Sequence, residues 1–192
     1  MSPFFNLVPA AYLLENPETL LNFSEAEFEI NRIMQRETRF ENAFVYGTSQ
    51  LLLDKLKELY GKVECFHSGN VFLESITNSK ETVVHLNLYE HNLEIAVTDN
   101  SDIIFYNLFE AQTGEDVLFY TLFVLEQLDI DSNKAELKCY GQLLPGTKVF
   151  QTLKKYVRFV FQASKDEEFL ENHTLFNLSK CALSQDLSEE KK

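Results

Sequence analysis

The sequence predicts an α/β fold with a mixed sheet in its second half, and three observations predict it. Three β-rich runs, Thr82–Tyr89, Leu93–Thr98 and Ile103–Phe109, follow one another across short polar joins. An apolar helix signal begins after Thr113, and strand and helix signals then alternate as far as Phe161. The joins Glu90-His91-Asn92 and Asp99-Asn100-Ser101-Asp102 are short enough to require antiparallel hairpins, so the three runs form a meander.

The elements before the meander read as follows. Residues 7–14 predict a short helix with Pro9 in its first turn. Asn16-Pro17-Glu18 opens another, with Asn16 as N-cap and proline at the first helical position, where its missing N–H removes no bond. A strand is expected from Phe28 to Met34, and Ala43–Tyr46 is a short buried strand that Gly47 releases into a helix over Ser49–Tyr60. In that helix Leu52, Leu53, Leu56 and Leu59 recur at helical spacing, and Gly61 ends it. Val63–His67 reads as a further strand, followed by a helix carrying Val71, Phe72, Leu73 and Ile76.

After the meander, Thr113 is the expected N-cap of a helix with Glu115 and Asp116 in its first turn, where carboxylates meet unpaired N–H groups. From Val117 to Leu125 that helix is apolar on nearly every side, which predicts burial between two layers. Ala135–Tyr140 is the next strand, left at Gly141; Thr147–Lys155 is a helix and Tyr156–Phe161 a final strand. A meander continued by crossover βαβ units builds a ribonuclease-H-like layer, and two such lobes make the actin-like ATPase architecture. The expected organisation is residues 1–80 as a partial first lobe and 81–162 as the ribonuclease-H-like second lobe. Residues 163–192 are expected to be a polar C-terminal segment, with one short helix over 174–183 and a disordered tail over 184–192.

Composition narrows the function. An apolar fraction of 45%, with 17 Phe and 8 Tyr, is ample for a core. Thirty acidic residues against 17 basic give a net charge of −13, which repels a phosphate backbone. The most basic stretch, Lys154-Lys155-Tyr156-Val157-Arg158, is too short to count as a patch, so no nucleic acid partner is expected. Three cysteines, Cys65, Cys139 and Cys181, are an odd set without C-x-x-C spacing, which points away from a disulfide framework and toward a reducing cytoplasm. Cys65 and Cys139 are expected to pack as small core residues. Met1-Ser2-Pro3-Phe4-Phe5 lacks the charged start and long apolar stretch of a signal peptide. The apolar run from Val117 to Leu125 falls short of the roughly twenty residues that a membrane helix needs, so no membrane insertion is expected.

Candidate chemistry is sparse. Cys65, His67 and Ser68 bring together a thiol, a base and a hydroxyl, but neighbours on a strand point to opposite faces, so a strand end with Ser68 as a cap is expected. His85 and His91 are expected to be partly exposed, with no third ligand at metal spacing, and His173 to be solvated. Asp129 and Asp131 flank Ile130 in a solvated turn, and Asp166-Glu167-Glu168 is a polar linker. G-x-S-x-G, G-x-x-x-x-G-K-[ST] and H-E-x-x-H do not occur. The residues nominate no catalytic group, no cofactor-binding group and no metal ligand.

Several apolar landmarks carry a family resemblance: Leu7-Val8-Pro9, Val45-Tyr46 before a helix, Cys65-Phe66-His67-Ser68, Leu86-Asn87-Leu88-Tyr89, Ile104-Phe105-Tyr106-Asn107 and the run Phe119–Leu128. Together they resemble an uncharacterised family of Bacteroidetes proteins with the actin-like ATPase fold. More distantly the chain is similar to the pilus-assembly protein PilM and the cytoplasmic part of the secretion protein GspL. The family carries a further β-hairpin region before its Leu-Val-Pro segment, so the resemblance implies an incomplete first lobe. It also implies that phosphates would be held by hairpin turns pairing an aspartate with glycines, whose bare backbone closes on anions. In the second lobe that turn falls at Asn87–Asn92, which has no glycine and adds Glu90 beside any phosphate. Asn87 stands where the aspartate would be, and an amide holds Mg²⁺ poorly. Gly141 stands alone where paired glycines would meet adenosine. The expectation is a non-enzymatic interaction or scaffold module without cofactor, binding a protein partner or a second copy; the alternative is a degenerate nucleotide binder.

Overall fold

A computed structural model describes residues 5–14, 21, 32–166 and 172–180. The described chain divides into two compact units. One takes in the residues up to Ser75 and those from Asn177 onward; the other is Ile76–Phe176.

The first unit holds an antiparallel sheet of three strands, β1 (Phe5–Pro9), β2 (Arg32–Glu37) and β3 (Asn42–Thr48), in the order β1-β3-β2. Ala43, Phe44, Val45 and Tyr46 are all buried, so central β3 is covered on both faces, and that is why its sequence does not alternate. The helix expected over residues 7–14 is instead the end of β1 followed by a 3-10 turn, Ala10–Leu14. Leu7 pairs with Phe44 and Pro9 with Asn42. Pro9 closes an edge strand, where a missing donor costs least. The described part of the strand expected from Phe28 is β2, which runs on past Met34 to Glu37; residues 28–31 and the helix expected at Asn16 lie outside the described residues.

Helix α1 (Gln50–Tyr60) is capped as its sequence asks: Ser49 Oγ accepts from the Leu52 N–H, and Gly61, at φ 77°, closes the last turn onto the Lys57 carbonyl. Its leucines depart from expectation. Only Leu53 is buried, while Leu51, Leu52 and Leu59 are each more than half exposed. Val63–His67 forms no strand, and α2 (Ser68–Ser75) follows it directly. His67, not Ser68, caps α2: its Nδ1 accepts from the Gly69 N–H at 3.1 Å, and its ring stacks on Phe44 at 5.0 Å. Cys65 is only partly buried, and its carbonyl accepts from the Tyr46 hydroxyl at 2.9 Å. Burial and the neighbouring Cys65 push that phenol up to about 12.

The second unit contains the expected elements: β4 (Val83–Tyr89), β5 (Asn92–Asp99), β6 (Asp102–Glu110), α3 (Gly114–Gln127), β7 (Glu136–Gly141), α4 (Lys148–Tyr156) and β8 (Phe159–Gln162). The sheet order is β6-β5-β4-β7-β8, antiparallel across the meander and parallel from β4 through β7 to β8. Thr113 and Asp116 make a full capping box, each side chain accepting from the other's backbone N–H. The Thr113 hydroxyl also donates to the Asp116 carboxylate, and that bond together with the Thr113 N–H holds the carboxyl below the usual range. Val84, Leu86, Leu93, Ile95 and Leu137 from one face of the sheet form the core with Val117, Val124 and Leu125 of α3 and Phe150 and Leu153 of α4. Each fully buried Leu or Ile contributes about 1.5–3 kcal/mol. Helix α3 is not sandwiched as its composition predicts. Its buried residues, Val117, Thr121, Val124 and Leu125, follow one stripe, while Phe119 is 62% and Phe123 43% exposed. Among the described residues no helix is long and apolar enough to cross a membrane.

Gly141 ends β7 at φ 65°, and a Cβ added there would lie 2.1 Å from the Leu88 carbonyl oxygen. That carbonyl is fixed because it accepts from the Gln142 N–H. Backbone against backbone leaves nothing to move aside. Gly141→Ala is expected to lose about 3 kcal/mol or more in urea unfolding. Gly146→Ala, whose added methyl would have no heavy atom within 4 Å, should change little in the same measurement.

Candidate functional site

Directly paired strand residues share a face, so the ladder shows what lies opposite the apolar core. His85 pairs with Ala96, Asn87 with Glu94, and Ala96 in turn with Tyr106. On the other side Asn87 pairs with Tyr140 of β7. The second face of this sheet therefore collects His85, Asn87, Glu94, Thr98, Tyr106 and Tyr140. In sequence this is a plain polar alternation, the pattern of a solvated face. In the structure His85, Asn87 and Glu94 have no exposure at all, Thr98 has 1% and Tyr140 5%.

Most of these side chains bond one another. The Glu94 carboxylate accepts from Asn87 Nδ2 at 2.7 Å and from the Tyr106 hydroxyl at 2.8 Å. The His85 ring lies between the Tyr140 hydroxyl, 3.2 Å from Nδ1, and the Thr98 hydroxyl, 3.0 Å from Nε2. Part of the cover comes from late in the chain, where residues 173–180 are helical. The His173 ring lies 4.7 Å from that of Tyr140, and Thr174 Oγ1 accepts from Asn87 Nδ2 at 3.4 Å. Asn87 Oδ1 has no hydrogen-bond partner among the described residues and faces Gly141, 2.8 Å from where a Cβ would stand.

Two expectations are corrected here. His85 is not partly exposed but wholly buried, and His173 is not solvated but 2% exposed. The cause is the same for both: a polar layer inside the fold, in which the two His85 ring nitrogens meet the Tyr140 and Thr98 hydroxyls and the His173 ring packs against Tyr140. His91 is exposed, away from this layer. Asp131 accepts from the backbone and side chain of Asn133, which holds its carboxyl low in an exposed turn. Among the described residues no three His, Cys, Asp or Glu side chains come together as metal ligands. Cys139 is buried in the apolar core, which pushes its thiol far up. Cys181 and Glu167-Glu168 lie outside the described residues, as does the tail over 184–192.

The β4–β5 hairpin carries the turn that would meet a phosphate. Glu90 occupies its left-handed position, at φ 53°. The first unit's own hairpin, between β2 and β3, also places a glutamate there, Glu41 at φ 57°. Its turn N–H groups are already engaged: Thr38 with the Asn42 carbonyl, Phe40 with Thr38 Oγ1, and Arg39 with the Glu74 carboxylate at 3.0 Å.

A meander extended by two parallel crossovers, together with a second unit that has its own antiparallel sheet, is the architecture of the actin-like ATPase fold. A crystallised protein from Bacteroides thetaiotaomicron VPI-5482, of actin-like ATPase fold and unknown function, is similar with a TM-score of 0.77 at 20% identity, over 94% of this chain and 71% of that one. The chain belongs to the DUF3822 family, described as proteins of unknown function, which it matches over residues 1–160. No curated protein matches it.

An acid placed at position 87 tests how firmly this layer is set. Asn87→Asp removes the donor to Glu94 and sets two carboxyl groups together without water. The variant is expected to lose about 3 kcal/mol at neutral pH. Burial and like charge raise a carboxyl's folded pKa, so the deficit should shrink as pH falls and a proton is shared. Urea unfolding of both proteins from pH 7 to pH 5 checks this.

Proposed function

We propose that the protein is a non-catalytic interaction or scaffold module, an actin-like fold without a working nucleotide site. One observation carries the reading. The Asn87 side chain is wholly buried, and its amide is committed to Glu94 and Thr174. With no solvent exposure and its oxygen turned to Gly141, the side chain offers no reachable atom to a metal-bound water in front of a phosphate. The turn that follows supports the same reading, since Glu90 brings a carboxylate and a Cβ to the position where a phosphate needs bare backbone. Exposed apolar side chains on two helices, Leu51, Leu52 and Leu59 on α1 and Phe119 and Phe123 on α3, suit a protein that meets other proteins. The resemblance to PilM is consistent with a partner-binding role in the cytoplasm, and fold alone does not set function.

The test is nucleotide binding on the full chain. With millimolar ATP and Mg²⁺, no rise in melting temperature and no phosphate release above buffer are expected. A rise equivalent to more than about 1 kcal/mol of linkage, lost in Asn87→Ala, overturns the reading in favour of a degenerate nucleotide binder.

A further inference from the structure

Strand β8 is the outer strand of its sheet, with no described strand on its far side. The chain is already extended at Val157, and the Ala163 N–H bonds the Cys139 carbonyl. Pairing alternates along a strand, so Val160 and Gln162 turn their peptide groups outward, away from β7. That edge differs in charge from the rest of the molecule. Residues 148–165 carry five cations and no anion, within a chain of net charge −13. Lys148 lies near Glu115, 3.9 Å away. Lys154, Lys155 and Arg158 are exposed and have no ion-pair partner among the described residues. The aromatic rings there are exposed too, Phe159 at 38%, Phe161 at 49% and Tyr156 at 55%, with the Arg158 guanidinium 5.1 Å over the Phe159 ring.

The two lysines of α4 and the rings of β8 fall on opposite faces, while Arg158 lies over the Phe159 ring. Val160 points into the core beneath α4, so Phe159 and Phe161 point to the opposite side of the sheet. Lys154 and Lys155 lie on α4, on the core side. A strand laid along β8 would therefore meet cations with one set of alternate residues and aromatic rings with the other.

We propose that the β8 edge receives an extended segment of a partner protein in which acidic and apolar residues alternate, added as a sixth strand. Its carboxylates would face Lys154 and Lys155, with one at the strand's start reaching Arg158 beside the Phe159 ring, and its apolar side chains would face Phe159 and Phe161. Strand addition draws affinity from main-chain hydrogen bonds and specificity from alternate side chains. The inference rests on the interaction reading and names the partner's chemistry. A single-stranded nucleic acid also suits cations beside aromatic rings, but the net charge of −13 opposes it.

The probe is a fluorescein-labelled eight-residue peptide of alternating Glu and Val, titrated with the full chain and followed by anisotropy. Saturable binding is expected below about 1 mM, weakening as salt rises from about 50 to about 500 mM. A Lys–Val peptide of the same length and a Glu–Val peptide N-methylated at alternate residues should each bind at least about tenfold more weakly. Lys154→Glu combined with Arg158→Glu, both exposed, should weaken the acidic peptide by a similar factor while leaving the melting temperature unchanged. No saturable binding, equal binding of the Lys–Val peptide, or indifference to the charge reversal each overturns the proposal. Tighter binding of a labelled twelve-nucleotide single strand assigns the edge to nucleic acid instead. Nucleotide and peptide are titrated separately, so a failed peptide and a failed interaction reading give different results.

Discussion

The carboxylate of Glu94 lies inside the protein with no solvent exposure, and much of the second unit answers to it. A buried acidic group is tolerated only where donors replace the water it has lost. Asn87 and Tyr106, from the strands on either side of β5, supply them. Each is then bound to one orientation. Asn87 gives its amide to Glu94 and Thr174 and turns its oxygen toward Gly141, where no side chain can stand. Glutamate, amide and glycine, on three neighbouring strands, thus form one constraint.

That constraint bears on function more than the fold does. The same sheet, strand order and crossovers serve proteins that bind nucleotides and proteins that do not. What differs is whether the polar groups at the strand ends are presented to a ligand or to one another. Here they are presented to one another, through hydroxyl, imidazole, amide and carboxylate bonds that span β4, β5, β6 and β7. Both hairpin tips add to this by placing a glutamate in the left-handed position, which Cβ-bearing residues adopt only under strain. In the first unit, the Glu74 carboxylate already holds a turn N–H that an anion would otherwise seek.

Individual elements show where sequence reading succeeds and fails. The capping box at Thr113, the serine cap of α1 and the hairpins of the meander are local signals, complete within a few residues, and they hold in the structure. Val63–His67 has residues that suit a strand, but no neighbouring strand pairs with it, and a strand exists only in a ladder. His67 became a helix cap because its ring found Phe44, which no neighbour in sequence announces. His85 was expected to be partly exposed, and the ladder instead sets it on a buried face with Asn87, Glu94 and Thr98. Period two says that these residues lie together; it does not say what lies above them.

By itself, then, the sequence determined the order of elements in the second unit, the antiparallel meander, the caps at Ser49 and Thr113 and the absence of glycine from the turn after Asn87. These depend on spacing and on backbone freedom, which are properties of neighbours along the chain. Only the tertiary structure decided that the polar face is interior, that His173 and Thr174 return to pack on residues far earlier in the chain, and that α3 leaves Phe119 and Phe123 in solvent. Burial depends on which distant segments meet, and periodicity carries no record of the partner.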